Sequence, residues 1–440
     1  MAKERVAVVG AGIAGLAAAY ELKCGGCEPV VFESSDCVGG RVKSIRRGGY
    51  VFDVGAFIYL GSYVESVALM DRVGLTPQLG RFNAYGAMPR DNHLKFLDFN
   101  KPVRTIYKTD YLSGAAKLKL LKLMFLLFKH WKHLNYHDAA GIAAVDTDTV
   151  QSYCDRELNR ELYDYVASVV VRGPWLTNPA DTSICQLLWT MKNFFKPYFY
   201  GLSGGMDALP TALAERLDVR LRCPVTSIAD RGSQVTVTRN EQGVEVEESF
   251  DRCVIATPTP AALDIYPQMP PVQQEFYRNT TYISAVNTHL VLRSRPVNPA
   301  TYIMVSPREN SALCGVIVDH RKADGRVPDG MGMLTIFCSD EWSKAHLDTE
   351  DEVIVRKALE FLRPYYGDLT NEVVDHEIGR WPVVVPKMKQ GRFREIVAYQ
   401  RSIEAGARVQ LAGDLEPIGG VNAALVSGTK AAQRILAAIG

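Results

Sequence analysis

Three glycines near the start of the chain carry the first chemical signal. Gly10, Gly12 and Gly15 form a G-x-G-x-x-G turn, with Ile13 and Ala14 inside it. In such a turn the first glycine permits the tight bend and the second lets a pyrophosphate approach the backbone. The third lets the following helix pack close to its sheet. Glu33, about 20 residues on and followed by Ser34, is placed to take a ribose hydroxyl pair. The chemistry indicated is dinucleotide binding, and these residues alone allow NAD or FAD.

That chemistry needs a strand, a helix and a second strand around the turn, and the sequence supplies them. Arg5 to Val9 is a short apolar β-type run, Leu16 to Leu22 favours helix, and Pro29 to Phe32 forms a second strand ending at Glu33. Free N–H groups at the helix start would hold the anion. Cys24-Gly-Gly-Cys27 follows this helix rather than opening it, so its thiolates lack the stabilisation a redox pair needs. No second pair lies nearby to complete a zinc site, and Gly25-Gly26 is expected simply to turn the chain.

Further glycine turns follow. Gly39-Gly40-Arg41 is followed by Ser44, and the strand Tyr50-Val51-Phe52-Asp53-Val54 runs into Gly55-Ala56. Gly204-Gly205-Met206-Asp207-Ala208-Leu209-Pro210 opens a helix to Leu217, ahead of Val219 to Arg222 and Pro224-Val225-Thr226-Ser227-Ile228. Cys253 to Pro258 forms a buried strand. At the far end, Val409 to Ala412 leads into Gly413-Asp414, and a helix starts after Gly419-Gly420 with Val421-Asn422.

The runs E-x5-GGR-x-x-S and G-Y-x-F-D-x-G-A, the GGM-x-x-L-P block and the closing G-D…S-G-x-x-A-A element together resemble the flavin amine oxidase superfamily. That superfamily also holds protoporphyrinogen oxidases and phytoene-type desaturases. The resemblance covers roughly residues 5 to 60, 200 to 260 and 405 to 440. It implies FAD rather than NAD, with Glu33 on the adenosine ribose and Arg41 and the glycines along the diphosphate and flavin. Gly55-Ala56 would approach the flavin ring, the Val225 backbone the adenine, and Asp414 the ribityl chain. The helix start at Val421-Asn422 would face the flavin pyrimidine end.

The fold class expected is α/β. It comprises a Rossmann-like FAD-binding domain of the GR2 type, drawn from residues 1-80, 200-265 and 396-440. A discontinuous α+β substrate domain with a helical cap takes residues 81-199 and 266-395. At 440 residues two domains are expected, and 47% hydrophobic with 22% charged residues is globular composition. A net charge of +1 gives no reason to expect nucleic acid. Only Met1 to Glu4 precede the first strand, so no signal or transit segment is read and the cytoplasm is the expected compartment.

In the substrate segments, Val64, Val67, Ala68 and Met70 give the period of a short helix, while Leu94 to Leu97 and Val103 to Ile106 look strand-like. In residues 117-134, Leu120, Leu123, Met124, Leu127, Trp131 and Leu134 make one apolar stripe, with Lys119, Lys122, Lys129 and Lys132 mostly off it. Such a helix can pack as a cap on its own domain or lie on an anionic membrane. His130, His133 and His137 lie beside it without carboxylate or cysteine partners, so no metal is expected. An aromatic cluster, Phe194, Phe195, Tyr198, Phe199 and Tyr200, precedes the second glycine block.

Amine oxidases of the resembled family carry a lysine, linked through water to the flavin N5, where this chain has Asn287. They place an aromatic cage residue where it has Gly420. Their closing motif can carry a cysteine for a covalent flavin bond, which is missing here. The resemblance therefore implies non-covalent FAD and a member closer to protoporphyrinogen oxidases and desaturases. Phe57, Tyr198, Asn287 and Trp381 are the pocket candidates, with no catalytic side chain assigned. The expected activity is hydride removal from a C–H bond of an apolar small molecule to flavin N5, with O2 or another electron acceptor. The alternatives are an amine or amide C–N oxidase and a flavin-dependent non-redox isomerase.

Overall fold

The computed structural model describes residues 3–82, 85–193, 195 and 198–440, so Phe194 of the aromatic cluster lies outside the described residues. Five strands form a parallel sheet in the order Asp218–Arg220, Glu28–Phe32, Arg5–Val9, Arg252–Ile255 and Val409–Leu411. All their pairings are parallel. Apart from the partly exposed edge strand Asp218–Arg220, these strands are mostly buried and read as near-continuous apolar runs rather than alternating ones. A mixed seven-stranded sheet follows the order Val373–Trp381, Ala285–Leu292, Gly332–Cys338, Leu313–Val318, Tyr302–Met304, Tyr85–Arg90 and His93–Asp98. The architecture is mixed α/β.

The Ile13–Cys24 helix crosses from the first strand to the second, and the C-terminal Val421–Ile439 helix packs along it. Small residues make this packing close. A Cβ at Gly15 would lie 1.9 Å from the Gly10 carbonyl oxygen, and one at Gly428 would lie 2.0 Å from that of Ala14. Both contacts exclude any larger side chain. Beyond the first helix, Gly25 and Gly26 turn the chain by donating to Glu21 and Lys23.

The structure departs from the sequence reading in two segments. Val103 to Ile106 falls in a helix, Pro102–Lys108, because Pro102 at its first turn presets a helical φ and needs no donor there. In the Val64–Arg72 helix the inward side is Ser66, Leu69 and Met70, while Val64 and Ala68 are exposed. The polar Ser66 faces inward because it meets Asn422, which hydropathy alone could not reveal. The Gly114–His130 helix buries Leu120, Leu123 and Leu127 against its own domain, so its first apolar stripe is a packed one. Among the described residues no helix is long and apolar enough to cross a membrane.

Candidate functional site

The glycine turn is built at the C-terminal ends of the parallel strands, where open α/β sheets bind ligands. Gly10 donates to the Phe32 carbonyl at 2.8 Å, tying the turn to the second strand. The Glu33 carboxylate reaches back and accepts from the Ala11 N–H at 2.7 Å. It also accepts from the Ser35 N–H at 2.9 Å and, at 3.3 Å, from the Ser34 hydroxyl. Gly39 donates to the Ala11 carbonyl at 2.8 Å, so Gly39-Gly40 lies across the turn beside Gly12. A Cβ at Gly12 would meet nothing within 4 Å, which leaves that side of the turn open. The helix that starts at Ile13 and Ala14 has Gly12 as its N-cap, no side-chain cap and no acid in its first turn.

Arg41 joins the distant blocks. Its guanidinium donates to the Asp414 carboxylate at 2.5 Å and to the Val384 carbonyl at 2.6 Å. Asp414 follows Gly413, whose N–H donates to the Ser427 hydroxyl at 3.2 Å. Val421 opens a second helix that lacks both a side-chain cap and an acid in its first turn. The Asn422 side chain is committed elsewhere: its oxygen accepts from the Ser66 hydroxyl at 2.7 Å and its amide donates to Glu65 at 2.9 Å. Only the backbone at that helix start is open. Val225 begins the Val225–Asp230 strand, two residues after Cys223 donates to the Glu33 carbonyl at 2.8 Å.

Two helix N-termini without acidic caps, an open glycine turn and a ribose-height carboxylate fit a dinucleotide. FAD would lie along Glu33, the 10–15 turn, Gly39-Gly40 and Arg41, with its flavin toward Gly55-Ala56 and the Val421 helix.

Val54, the residue before Gly55-Ala56, sits on a cross-strand row of the large sheet. Phe337, Asn287 and Gly379 are register partners on adjacent strands. The Val54 carbonyl rests on that row, accepting from the Trp381 indole N–H at 2.6 Å and from the Asn287 amide at 3.3 Å. A Cβ at Gly379 would lie 2.6 Å from the same oxygen. The Asn287 side-chain oxygen is buried without a partner, a free acceptor beneath the loop that carries Gly55-Ala56.

Phe57 then meets Phe337 at a tilt of 39°, ring centroids 4.3 Å apart, and the two begin a pocket. Its walls include Phe82, Trp175, Phe199 and Tyr302, and its space is about 730 Å³ with the mouth included. Among the described residues, no ionisable acid or base other than the Tyr302 phenol lines it. Trp175 is held by its indole N–H, which donates to the Thr190 hydroxyl at 2.8 Å. Of the four pocket candidates the structure places Phe57 on the wall. Asn287 and Trp381 buttress the loop from behind, and Tyr198 stacks with Arg81 and packs against Gly61. Trp175, Tyr302 and Phe337 were not singled out, since each is an apolar residue in an ordinary helix or strand pattern.

A buried ion cluster lies directly behind this loop. The Asp53 carboxylate accepts from the Ser44 hydroxyl at 2.6 Å, the Met206 N–H at 3.0 Å and the Lys322 ammonium at 2.6 Å, and from Arg326. Lys322 also pairs with Asp319 at 3.1 Å. The side chains of Asp53, Lys322 and Arg326 are fully buried. Burial alone would raise the Asp53 carboxyl, but Lys322 and Arg326 outweigh it and hold it well below the usual carboxylate range. His289, bonded to Thr335 at 2.7 Å, is pushed down to about 4 by burial, against the pull of Asp319.

Comparison with known proteins agrees with this geometry. The family model for flavin containing amine oxidoreductases matches residues 13–436. A mitochondrial protoporphyrinogen oxidase of Nicotiana tabacum is 27% identical over 305 residues, which cover 58% of this chain and 58% of that protein's own length. The coproporphyrinogen III oxidase of Staphylococcus aureus is 20% identical over 98% of this chain and 99% of its own. The fold superimposes on a putrescine oxidase variant with redesigned cofactor binding at a TM-score of 0.82, 20% identity and 99% coverage of each chain. With its cofactor cradle, its five-stranded parallel and seven-stranded mixed sheets and a match over nearly its whole length, the chain belongs to the flavin containing amine oxidoreductase family, and it is an FAD-dependent oxidoreductase.

Proposed function

We propose that this oxidoreductase oxidises an uncharged, apolar small molecule at a C–H bond, in the manner of protoporphyrinogen oxidases and desaturases, with FAD held non-covalently. The carrying observation is the pocket: among the described residues its walls hold six aromatic rings and no Asp, Glu, Lys, Arg or His, and its floor is continuous with the Val54–Phe57 loop. When bound, FAD supplies the acceptor for a hydride leaving that C–H bond. The chain's part is placement. Phe57 and Phe337 offer an apolar wall, Trp175 is fixed by Thr190, and the aromatic walls exclude water from the reacting bond. Glu33, Arg41 and the two helix starts bind the cofactor, and Asn287 with Trp381 fixes the height of the loop beneath it. O2 or another electron acceptor completes the turnover.

Anaerobic mixing of the flavin-loaded protein with apolar, oxidisable heterocycles and polyenes tests the reading. Bleaching of the flavin band is expected. A flavin that stays oxidised with these, yet bleaches with primary or secondary amines, overturns it.

One observation favours amine C–N oxidation as a second reading. At Gly420, where relatives place a cage ring, a Cβ would stand 3.7 Å from both Trp175 and the Tyr63 hydroxyl. Those two rings supply aromatic surface from other parts of the chain, and aromatic faces attract cationic amines. Peroxide release from amines, lost in Trp175→Leu, would favour it.

A further inference from the structure

The Gly114–His130 helix carries a second apolar stripe that the fold does not use. Leu118, Leu121, Phe125 and Phe128 follow at spacings of three, four and three, which places them on one helix face. They point away from the packed stripe of Leu120, Leu123 and Leu127: their exposures are 69%, 50%, 72% and 55%. Four large apolar side chains left in water along one helix form a patch of the kind that marks an interaction surface. The Phe128 ring stacks on Trp131 at 5.6 Å and meets Phe195 edge-on at 5.5 Å, extending the patch past the helix end.

Charge identifies what covers it. Residues 101–133 hold eight lysines and arginines against a single acid, Asp110, in a chain whose formal net charge is only +1. That acid is paired with Lys95 at 2.6 Å. Lys122, Lys129 and Lys132 are exposed beside the stripe, Lys122 within 3.7 Å of the partly exposed Glu157 carboxylate, and Lys108 and Tyr107 are exposed at the end of the neighbouring Pro102–Lys108 helix. Lys117 ties the two segments together by donating to the Thr109 carbonyl at 2.7 Å. Protein–protein interfaces are depleted in lysine around an apolar centre. A bilayer surface suits this pattern, because the lysine stems lie along the acyl boundary while the ammonium heads reach phosphate groups.

We propose that this face docks in the plane of a membrane bearing anionic phospholipids. Leu118, Leu121, Phe125 and Phe128 enter the acyl boundary, and Lys122, Lys129 and Lys132 meet headgroups. The site sits beside the pocket: the Ile184–Asn193 helix packs on the docking helix and contributes Thr190 and Asn193 to the pocket wall. An apolar substrate dissolved in the bilayer would then be delivered one helix away from its binding site. The docking claim stands on its own surface, while the delivery claim rests on the apolar-substrate reading.

The test is flotation of the flavin-loaded protein with vesicles of phosphatidylcholine alone or mixed with phosphatidylglycerol, with sedimentation of the free protein alongside. Binding to the mixed vesicles, weakened by added salt, is expected. Phe125→Ser with Phe128→Ser should lower partitioning about a hundredfold on removing two partly buried rings. Lys122→Gln, Lys129→Gln and Lys132→Gln together should lower it by a similar factor on anionic vesicles alone, at about fivefold per lysine. All five side chains are exposed, so flavin content and activity on a water-soluble donor should not change. No vesicle binding, or binding that the phenylalanine substitutions leave intact, overturns the proposal. Self-association that these substitutions abolish, without vesicle binding, assigns the face to a second copy instead. Flavin that bleaches with apolar donors while vesicle binding fails sinks the docking alone.

Discussion

Asp53→Asn offers the most direct probe of how the flavin-side loop is held. The carboxylate is an acceptor with two oxygens, each occupied twice: Ser44 and Met206 on one, Lys322 and Arg326 on the other. An amide in the same place must turn its NH2 toward one of those donor pairs, whichever way it flips. It also leaves the buried cations Lys322 and Arg326 with Asp319 as their remaining acid in the cluster. Removing one partner of a buried charge set costs about 3–5 kcal/mol, mostly from stranding the other charge. We therefore expect urea unfolding of the apo protein to show a loss of about 3 kcal/mol or more. Adding Lys322→Met restores neutrality, with Asp319 against Arg326, and should recover at least about 1 kcal/mol relative to the sum of the single losses. The reasoning fails if Asp53→Asn costs under about 1 kcal/mol, or if the two substitutions are simply additive.

Three further outcomes are expected. His289 is pushed down to about 4 when folded, against about 6.5 unfolded, so its contribution is fully present above pH 6.5 and is lost as pH falls toward 4. That loss is about 3 kcal/mol at most, and His289→Leu should flatten this part of the stability profile measured by urea unfolding from pH 4 to 7. Trp381→Phe removes the indole donor from the Val54 carbonyl and leaves only the longer Asn287 bond. FAD affinity should drop about tenfold, read by fluorescence titration, with a shifted flavin absorption band. Glu33→Ala frees the Ala11 N–H and deletes the ribose acid. It should weaken FAD about ten- to hundredfold, and the Ala11 N–H left unpaired at a fully buried residue should cost the apo protein about 1–3 kcal/mol.

The cofactor half of the fold could be read from sequence because its signals are local. Gly10, Gly12 and Gly15 are diagnostic only with Arg5–Val9, the helix and Glu33 around them, and all lie within one short stretch. The pocket could not be read in this way. Phe82, Trp175, Tyr302 and Phe337 come from four separate elements, and each obeys the same apolar pattern as a core residue. Lys322 and Arg326 are likewise silent in the sequence, because nothing near them announces Asp53 as their partner. Asn287 and Trp381 were noticed through the resemblance, but their shared target is a backbone carbonyl, and a sequence carries no mark of which carbonyl will be capped. Val103 to Ile106 misled because β-branched residues favour strands, while Pro102 decided the local geometry.

The pairing of Arg41 with Asp414 has a consequence for how the protein is made. Val409–Leu411 is an edge strand of the parallel sheet, and the helix behind it seats against Ala14 only through Gly428. A ribosome therefore releases the first glycine turn long before the segment that completes the cradle. Until residues 409–439 emerge, the nascent chain holds half of a cofactor site, with Arg41 lacking its acid and the Val421 helix start missing. Cofactor capture then becomes a checkpoint of synthesis. FAD would hold tightly only to chains in which residues 409–439 have been made, and its binding energy would be added to folding at that step.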